Sequence, residues 1–343
     1  MSRDPREGSL SEQQELTERL LLVRQLPVLR QLGALALTPF AASIVPERFD
    51  PGQVLTDEAD APRSLYLLRE GAVRCSRRGQ LFGVVRGPAS MGLLPMLART
   101  SGSFQVVAET RVSAYRADEE VVRDVFEDHF TVLLSLVRGL AQTLLAELDW
   151  AVDPILFRPP SSDLIAPSAP ELTLVERIAS LRRIGPFASA TVASLARFAL
   201  GLTELRLPAG EPLWERGEPA EFALILLAGE TEQRWDGKQR SVGPGFIVGG
   251  AETLGGVPRA TSARTTTPII ALRSTRANFT SAMEDNLDLG LHMLSFLASV
   301  VLGYWDVRAA AGEQPLTGWV LPGSKAPRSS APMIRFPGRT PVR

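Results

Sequence analysis

Apolar residues follow two different spacings along this chain. In VVRDVFEDHFTVLLSLVRGLAQTLLAEL, residues 121–148, Leu133, Val137, Leu140, Leu144 and Leu148 recur at steps of 4, 3, 4 and 4. That period places them on one stripe of a helix. Upstream, SLYLLREGAV, LFGVVRG, FQVVAET and VSAYR are short apolar runs, partly alternating and broken by Gly, Pro or Asp. These predict the strands of an all-β barrel or jelly roll, closed by the long helix.

The same pattern then returns. FDPGQVLTDEADAPRSLYLLREGAV (Phe49–Val73) aligns with LPAGEPLWERGEPAEFALILLAGET (Leu207–Thr231), pairing Gly52 with Gly210 and Gly71 with Gly229 at an offset of 158. Gly87-Pro88 and Gly243-Pro244 pair at 156, and RADEEVVRDVFED (Arg116–Asp128) pairs with RSTRANFTSAMED (Arg273–Asp285) at 157. The helical stripe recurs as Leu294, Leu297, Val301 and Trp305. A period this long marks a duplicated domain, because solenoid units repeat every ~20–50 residues. The expected fold is therefore mainly β with flanking helices: two tandem jelly rolls of about eight short strands each.

Helices are expected before each barrel as well. Ser11-Glu-Gln-Gln14 and Thr173-Leu-Val-Glu176 both fit a capping box, in which the hydroxyl and the later side chain satisfy free amides at a helix start. Residues 153–170 hold five prolines and little periodicity, the composition of a linker. From Gly312 to Arg343 there are six prolines, with five basic residues against one acidic. The expected division is an N-terminal helical segment (1–24), a first domain (25–150), a Pro-rich linker (151–170), a second domain (171–306) and a basic, disordered tail (307–343).

Composition narrows the class. Apolar residues make up 45% and charged residues 22% of 343 residues, a globular mix large enough for two cores. The net charge of −1 supplies no global field to recruit nucleic acid or membrane. The bias of 35 Arg against 2 Lys suggests a GC-rich, bacterial genome. The single Cys75 excludes an internal disulfide and fits a reducing cytoplasm. The polar start MSRDPREGSLSEQQ has no apolar core behind it, and no apolar run reaches the length of a membrane span. A cytoplasmic protein without a membrane span is the expectation.

Taken in order, duplicated and at constant offsets, these motifs resemble the cyclic nucleotide-binding domain family, twice in tandem, over roughly residues 25–148 and 180–305. This is the jelly-roll module of the catabolite activator protein and the protein kinase A regulatory subunit. The resemblance implies a phosphate-binding cassette reading F-G-E-L-A-L, a variable stretch, then P-R-A-A. In such cassettes the glutamate holds the ribose hydroxyl, and the arginine pairs with the cyclic phosphate beside helix-start amides. In GPGFIVGGAETLGGVPRAT, Gly249 matches the glycine and Pro258-Arg259-Ala260 the end, Gly250 stands where the glutamate belongs, and Glu252 comes two residues late. In MGLLPMLARTSGSFQ, Gly92 matches the glycine, but Leu93 replaces the glutamate and Gly102 the arginine. A buried phosphate without a paired cation is costly, so the first copy is expected to be empty. The second copy, through Gly249, Gly250, Glu252, Arg259 and Ala260, is the candidate site for cyclic AMP, cyclic GMP or another small anion. Against that, Arg259 can be a surface arginine or a partner of Glu252.

Catalysis finds no support. His129 and His292 do not occupy equivalent places, and two histidines with one cysteine cannot supply the ligand cluster of a metal enzyme. No G-x-S-x-G, Walker A lysine or C-x-x-C occurs. Trp305 reads as a core or interface residue before a base-stacking lid, and RCSRRGQ (Arg74–Gln80) as a polar hairpin turn. Three functions remain: a regulatory sensor, a protein-binding scaffold without nucleotide, and a transcription regulator. The last is disfavoured, because the Pro-rich 38 residues after Trp305 leave no room for a recognition helix. The expectation is a non-enzymatic regulatory protein with no cofactor, a protein partner and no specific DNA binding. The two closing stripes could pack on each other as an internal pseudo-twofold pair; the alternative is that each helix spends its stripe on its own barrel, because one apolar stripe seldom covers two partners.

Overall fold

The protein is seen as a computed structural model that describes residues 5–24, 26, 29, 32–61, 63–99, 104–148 and 171–311. Gly102, the 151–170 segment and the tail beyond residue 311 lie outside the described residues. Helices α1 (Pro5–Val23) and α2 (Ala34–Ser43) lead into strands β1 (Val45–Phe49), β2 (Val54–Thr56), β3 (Ser64–Glu70), β4 (Ala72–Arg77), β5 (Gln80–Arg86) and β6 (Ala89–Met91). A short helix α3 (Leu93–Ala98), strands β7 (Gln105–Ala108) and β8 (Val112–Asp118), and helices α4 (Glu119–Asp128) and α5 (Phe130–Glu147) complete the first repeat.

The second repeat follows the same order. Helix α6 (Leu174–Leu181), a 3₁₀ turn (Gly185–Phe187) and α7 (Val192–Leu200) precede β9 (Thr203–Leu207), β10 (Pro212–Trp214), β11 (Phe222–Ala228), β12 (Thr231–Trp235), β13 (Lys238–Val242) and β14 (Ile247–Val248). Then come α8 (Gly250–Gly255), β15 (Ser262–Thr265), β16 (Ile269–Thr275), α9 (Arg276–Asp285) and α10 (Leu287–Ala310). Each repeat folds eight strands into two antiparallel four-stranded sheets. The orders are β1-β8-β3-β6 with β2-β7-β4-β5, and β9-β16-β11-β14 with β10-β15-β12-β13. Strand for strand they are the same, the jelly roll expected from the repeat. β3 and β11 sit inside their sheets, so Leu65–Leu68 and Ala223–Leu227 are buried without alternation. A strand covered on both faces reads as a continuous apolar run.

Three local expectations change. The closing segment is not one helix: His129 (φ −136°) and Asn286 (φ −147°) leave helical geometry, dividing α4 from α5 and α9 from α10. Asn286 then caps α10 by accepting the Leu289 N–H at 3.2 Å, a role that favours asparagine over helix interior. The helix start expected at Ser11 moves, since α1 begins six residues earlier at Pro5, where a missing N–H is tolerated. The Thr173–Glu176 box forms in full, with both reciprocal bonds present. Finally, α5 and α10 are long and apolar enough to cross a membrane by length and composition alone. Their apolar residues are directed inward instead: Leu133, Val137, Leu140, Leu144, Leu294, Leu297 and Val301 are all buried.

Those residues meet between the repeats. Leu133 lies against Gly290, where an added Cβ would stand 2.9 Å from Leu133 Cδ2; the two positions are equivalent at the offset of 157. At the other end, Glu147 Oε1 accepts the Trp305 Nε1–H at 3.1 Å and Oε2 lies 3.2 Å from Arg308 Nε. Contact at both starts and both ends makes α5 and α10 a parallel, in-register pair. The seam positions 133, 137, 140, 144 and 147 recur at alternating steps of 4 and 3, as do 290, 294, 297, 301 and 304, the spacing of a two-stranded coiled coil. Of the two alternatives for the stripes, the internal pairing is the one present.

Candidate functional site

The cassettes lie beneath this helix pair, and each is covered by the other repeat. α5 packs on α8, and α10 packs on α3. Gln142 Nε2 donates to Gly255 O at 2.8 Å, and Ser299 Oγ donates to Ala98 O at 3.0 Å. Gln142 and Ser299 are equivalent at the offset of 157, as are Ala98 and Gly255. The same contact is thus made twice, related by the pseudo-twofold axis along the helix pair.

In the first repeat, Gly92 (φ +93°) starts α3, and all six residues of that helix are buried, Leu93 included. Leucine at the glutamate position therefore serves the core. Arg77, expected on a polar hairpin, is 4% exposed. Its Nε and Nη2 donate to Asp306 Oδ1 and Oδ2 at 2.7 and 3.2 Å, and Arg78 Nη2 stands 3.2 Å from Oδ2. The Arg78-Gly79 turn itself forms, both residues having positive φ. Sequence reasoning missed this bidentate link, which joins positions 229 residues apart; its only local signal was an acidic residue following the last seam tryptophan. Trp305 is buried beside Phe104, with ring centres 6.4 Å apart, so it is an interface tryptophan.

In the second repeat the structure brings all five expected residues together. Gly249 (φ +73°) stands at the N-cap of α8, and an added Cβ there would stand 2.2 Å from Arg259 Nη1. Only glycine accepts both that dihedral and that approach. Gly250 is the first residue of α8 and is buried. Arg259 is 2% exposed. Its Nη1 donates to Gly249 O at 3.3 Å and its Nη2 to Phe222 O at 2.5 Å. The guanidinium lies 3.8 Å from the centre of the Trp214 ring and 5.0 Å from that of Phe222, a stacked cation–π arrangement. Burial pulls the Arg259 pKa down to about 10, partly offset by the charges of Glu252 and then Glu218. It stays a cation at neutral pH.

Glu252 is also 2% exposed. Its Oε1 stands 3.4 Å from the Ala260 N–H and accepts from it. The carboxylate therefore faces the amide of the P-R-A end, within electrostatic reach of Arg259. Trp214 and Phe222, which hold the arginine, were not singled out from the sequence; both lie outside the glycine-rich stretch and carry no motif of their own. Among the described residues, no group of three or more His, Cys, Asp or Glu could hold a metal ion.

The Cyclic nucleotide-binding domain family model matches residues 46–129 and again 204–286. No curated protein matches the sequence. Among solved structures, a mutant regulatory subunit of a cAMP-independent protein kinase A from Trypanosoma brucei, bound to cAMP in the A site, is similar at 16% identity. The match covers 84% of this chain and 92% of that one, with a TM-score of 0.34. The regulatory domain of Toxoplasma gondii protein kinase A with cAMP matches at 14% identity over 84% and 96%, TM-score 0.32. A cyclic nucleotide-binding-like protein from Brucella abortus matches at 30% identity over 32% and 98%, TM-score 0.29. With the strand order repeated, the cassette glycines in place and the family model matching twice, this chain belongs to the cyclic nucleotide-binding domain family, as two such domains in tandem.

Proposed function

We propose that the chain is a non-enzymatic regulatory protein whose paired domains present a fixed surface to a protein partner, and that neither cassette takes a cyclic nucleotide. The observation that carries this reading is the carboxylate of Glu252 at the Ala260 amide, among the groups that a cyclic phosphate would need. The family arrangement offers an arginine and helix-start amides to a phosphate. Here Arg259 is committed to two backbone carbonyls and an indole face, and a tethered carboxylate supplies the anion. An incoming phosphate would have to displace that carboxylate and approach it at close range. Two like charges without water between them repel strongly. The glutamate for the ribose is absent too, since Gly250 has no side chain. In the first repeat, a buried leucine stands at the ribose position.

The test is a thermal melt of the full chain with cyclic AMP and with cyclic GMP at millimolar concentration. A bound ligand at 100 times its Kd would stabilise the protein by ~2.7 kcal/mol. The expected result is no shift with either nucleotide. A saturable upward shift that disappears in Arg259→Leu would instead assign the second cassette to a cyclic nucleotide.

A further inference from the structure

The two repeats are not alike on every face. In the first barrel, the sheet β2-β7-β4-β5 sets Val54 opposite Val107, Val107 opposite Arg74, and Arg74 opposite Val84. Directly paired residues on neighbouring strands project to the same side, so these four form one row across the sheet. It is the outer side: Val73, Cys75, Val85, Val106 and Ala108, which alternate with them, are buried. Val54 is 48% exposed, Arg74 is exposed, and Val84 and Val107 are half-buried.

The equivalent row of the second barrel, on β10-β15-β12-β13, is Pro212, Arg264, Glu232 and Ser241. There Glu232 Oε1 accepts from Arg234 Nε at 2.6 Å and from Arg264 Nε at 3.1 Å, so the charges of that face are balanced within it. In the first barrel valine replaces Pro212, Arg264 and Ser241, and Arg74 stands where Glu232 does. Among the described residues Arg74 has no hydrogen bond or ion pair, and neither has Arg86, exposed at the end of β5. Strand propensity favours valine in both barrels alike. It does not account for valines around an unpaired arginine on one face and a closed charge network on the other.

A central arginine flanked by apolar side chains is the arrangement of an interface anchor, where the surrounding contacts keep water from the charge. We propose that this face docks a protein partner through a segment that brings one carboxylate, set among aliphatic or aromatic side chains, onto Arg74. The partner's carboxylate takes the place that Glu232 fills on the other face. A second copy of this chain offering the same face would set arginine against arginine, which like charge disfavours. The inference rests on the reading of the chain as a partner-binding protein, and it names the surface.

Short random peptides displayed on phage and selected on the full chain are the probe. The expected result is a family of peptides sharing an Asp or Glu flanked by apolar residues. Arg74→Glu should weaken them about tenfold or more. Replacing their carboxylate by lysine should restore binding to Arg74→Glu and abolish it on the unmodified chain. Val54→Thr combined with Val84→Thr, which keeps both side chains branched, should also weaken them. A cooperative melt verifies that each variant is folded; should Arg74→Glu not fold, Arg74→Gln carries the comparison. Failure to enrich any peptide, peptides that need no carboxylate, or binding unmoved by the paired threonine substitutions would overturn the docking site. Peptides that bind Arg74→Glu as tightly as the unmodified chain would overturn it too, while leaving a protein partner elsewhere on the chain in place.

Discussion

Leu144→Asp should separate the two domains. Leu144 is 2% exposed, belongs to the α5–α10 seam and lines a cavity over α8. Truncating a buried leucine costs ~2–5 kcal/mol through lost transfer energy and the space left behind. Placing an ionised carboxylate there, in a seam of Val137, Leu140, Leu297 and Val301, adds a desolvation penalty of several kcal/mol. The sum is comparable to the whole stability of an ordinary domain, about 5–15 kcal/mol. The barrels retain their own sheets, so the expected outcome is loss of the interface before loss of the folds. Small-angle scattering should show an enlarged radius of gyration, and amide exchange should accelerate along α5 and α10 while β3 and β11 stay protected. Leu200→Asp is the control: Leu200 is 71% exposed, and a surface change of this kind shifts stability by about 0.5 kcal/mol or less. Equal behaviour of the two variants would show that the seam does not hold the domains together.

A second large effect is expected at Gly229. This residue has φ +76°, and an added Cβ would stand 2.1 Å from Pro268 O and 2.9 Å from Pro268 C. Backbone atoms of the neighbouring strand connection cannot move aside as a side-chain tip can. Gly210 has a similar φ of +84° but nothing within 4 Å of its added Cβ. Gly210→Ala should therefore cost only the left-handed conformation, ~1–2 kcal/mol. Gly229→Ala carries that cost plus the clash, and should lose at least about 3 kcal/mol. Urea titrations of both variants read the difference. Equal midpoints would mean that close approach at Gly229 contributes nothing.

The same contrast shows why the duplication was legible. Gly52, Gly71, Gly210 and Gly229 all have positive φ, so backbone geometry fixes glycine at those places and the offset of 158 survives. The helical stripe was legible because burial selects leucine and valine at a steady period. It did not reveal how α5 covers both a partner helix and a cassette. The buried face is wider than one stripe: Val132, Leu136 and Thr143 are buried beside Leu133, Val137 and Leu140. The break at His129 was hidden because apolar spacing continues through it. In the cassette, the family resemblance identified Gly249, Glu252 and Arg259, but not their directions. Whether Arg259 faces a ligand or two carbonyls depends on Trp214 and Phe222, which come from other strands. The Arg77–Asp306 link was hidden for the same reason: each partner looks like a surface charge until the fold joins them.

The in-register pairing of α5 and α10 within one chain is what places each closing helix over the other repeat's cassette, and a crosslink tests it directly. Leu133 meets Gly290, so two turns further on Leu140 faces Leu297. Leu140→Cys and Leu297→Cys are introduced together and oxidised in dilute solution. Cys75 can stay, because it is fully buried and burial pushes its thiol up to about 12, leaving almost no thiolate to compete at neutral pH. The expected product is a crosslink within a single chain, migrating at monomer mass, shifted only under non-reducing conditions and absent from either single variant. Crosslinks found only between chains, at dimer mass, would contradict the internal pairing and, with it, the mutual covering of the two cassettes.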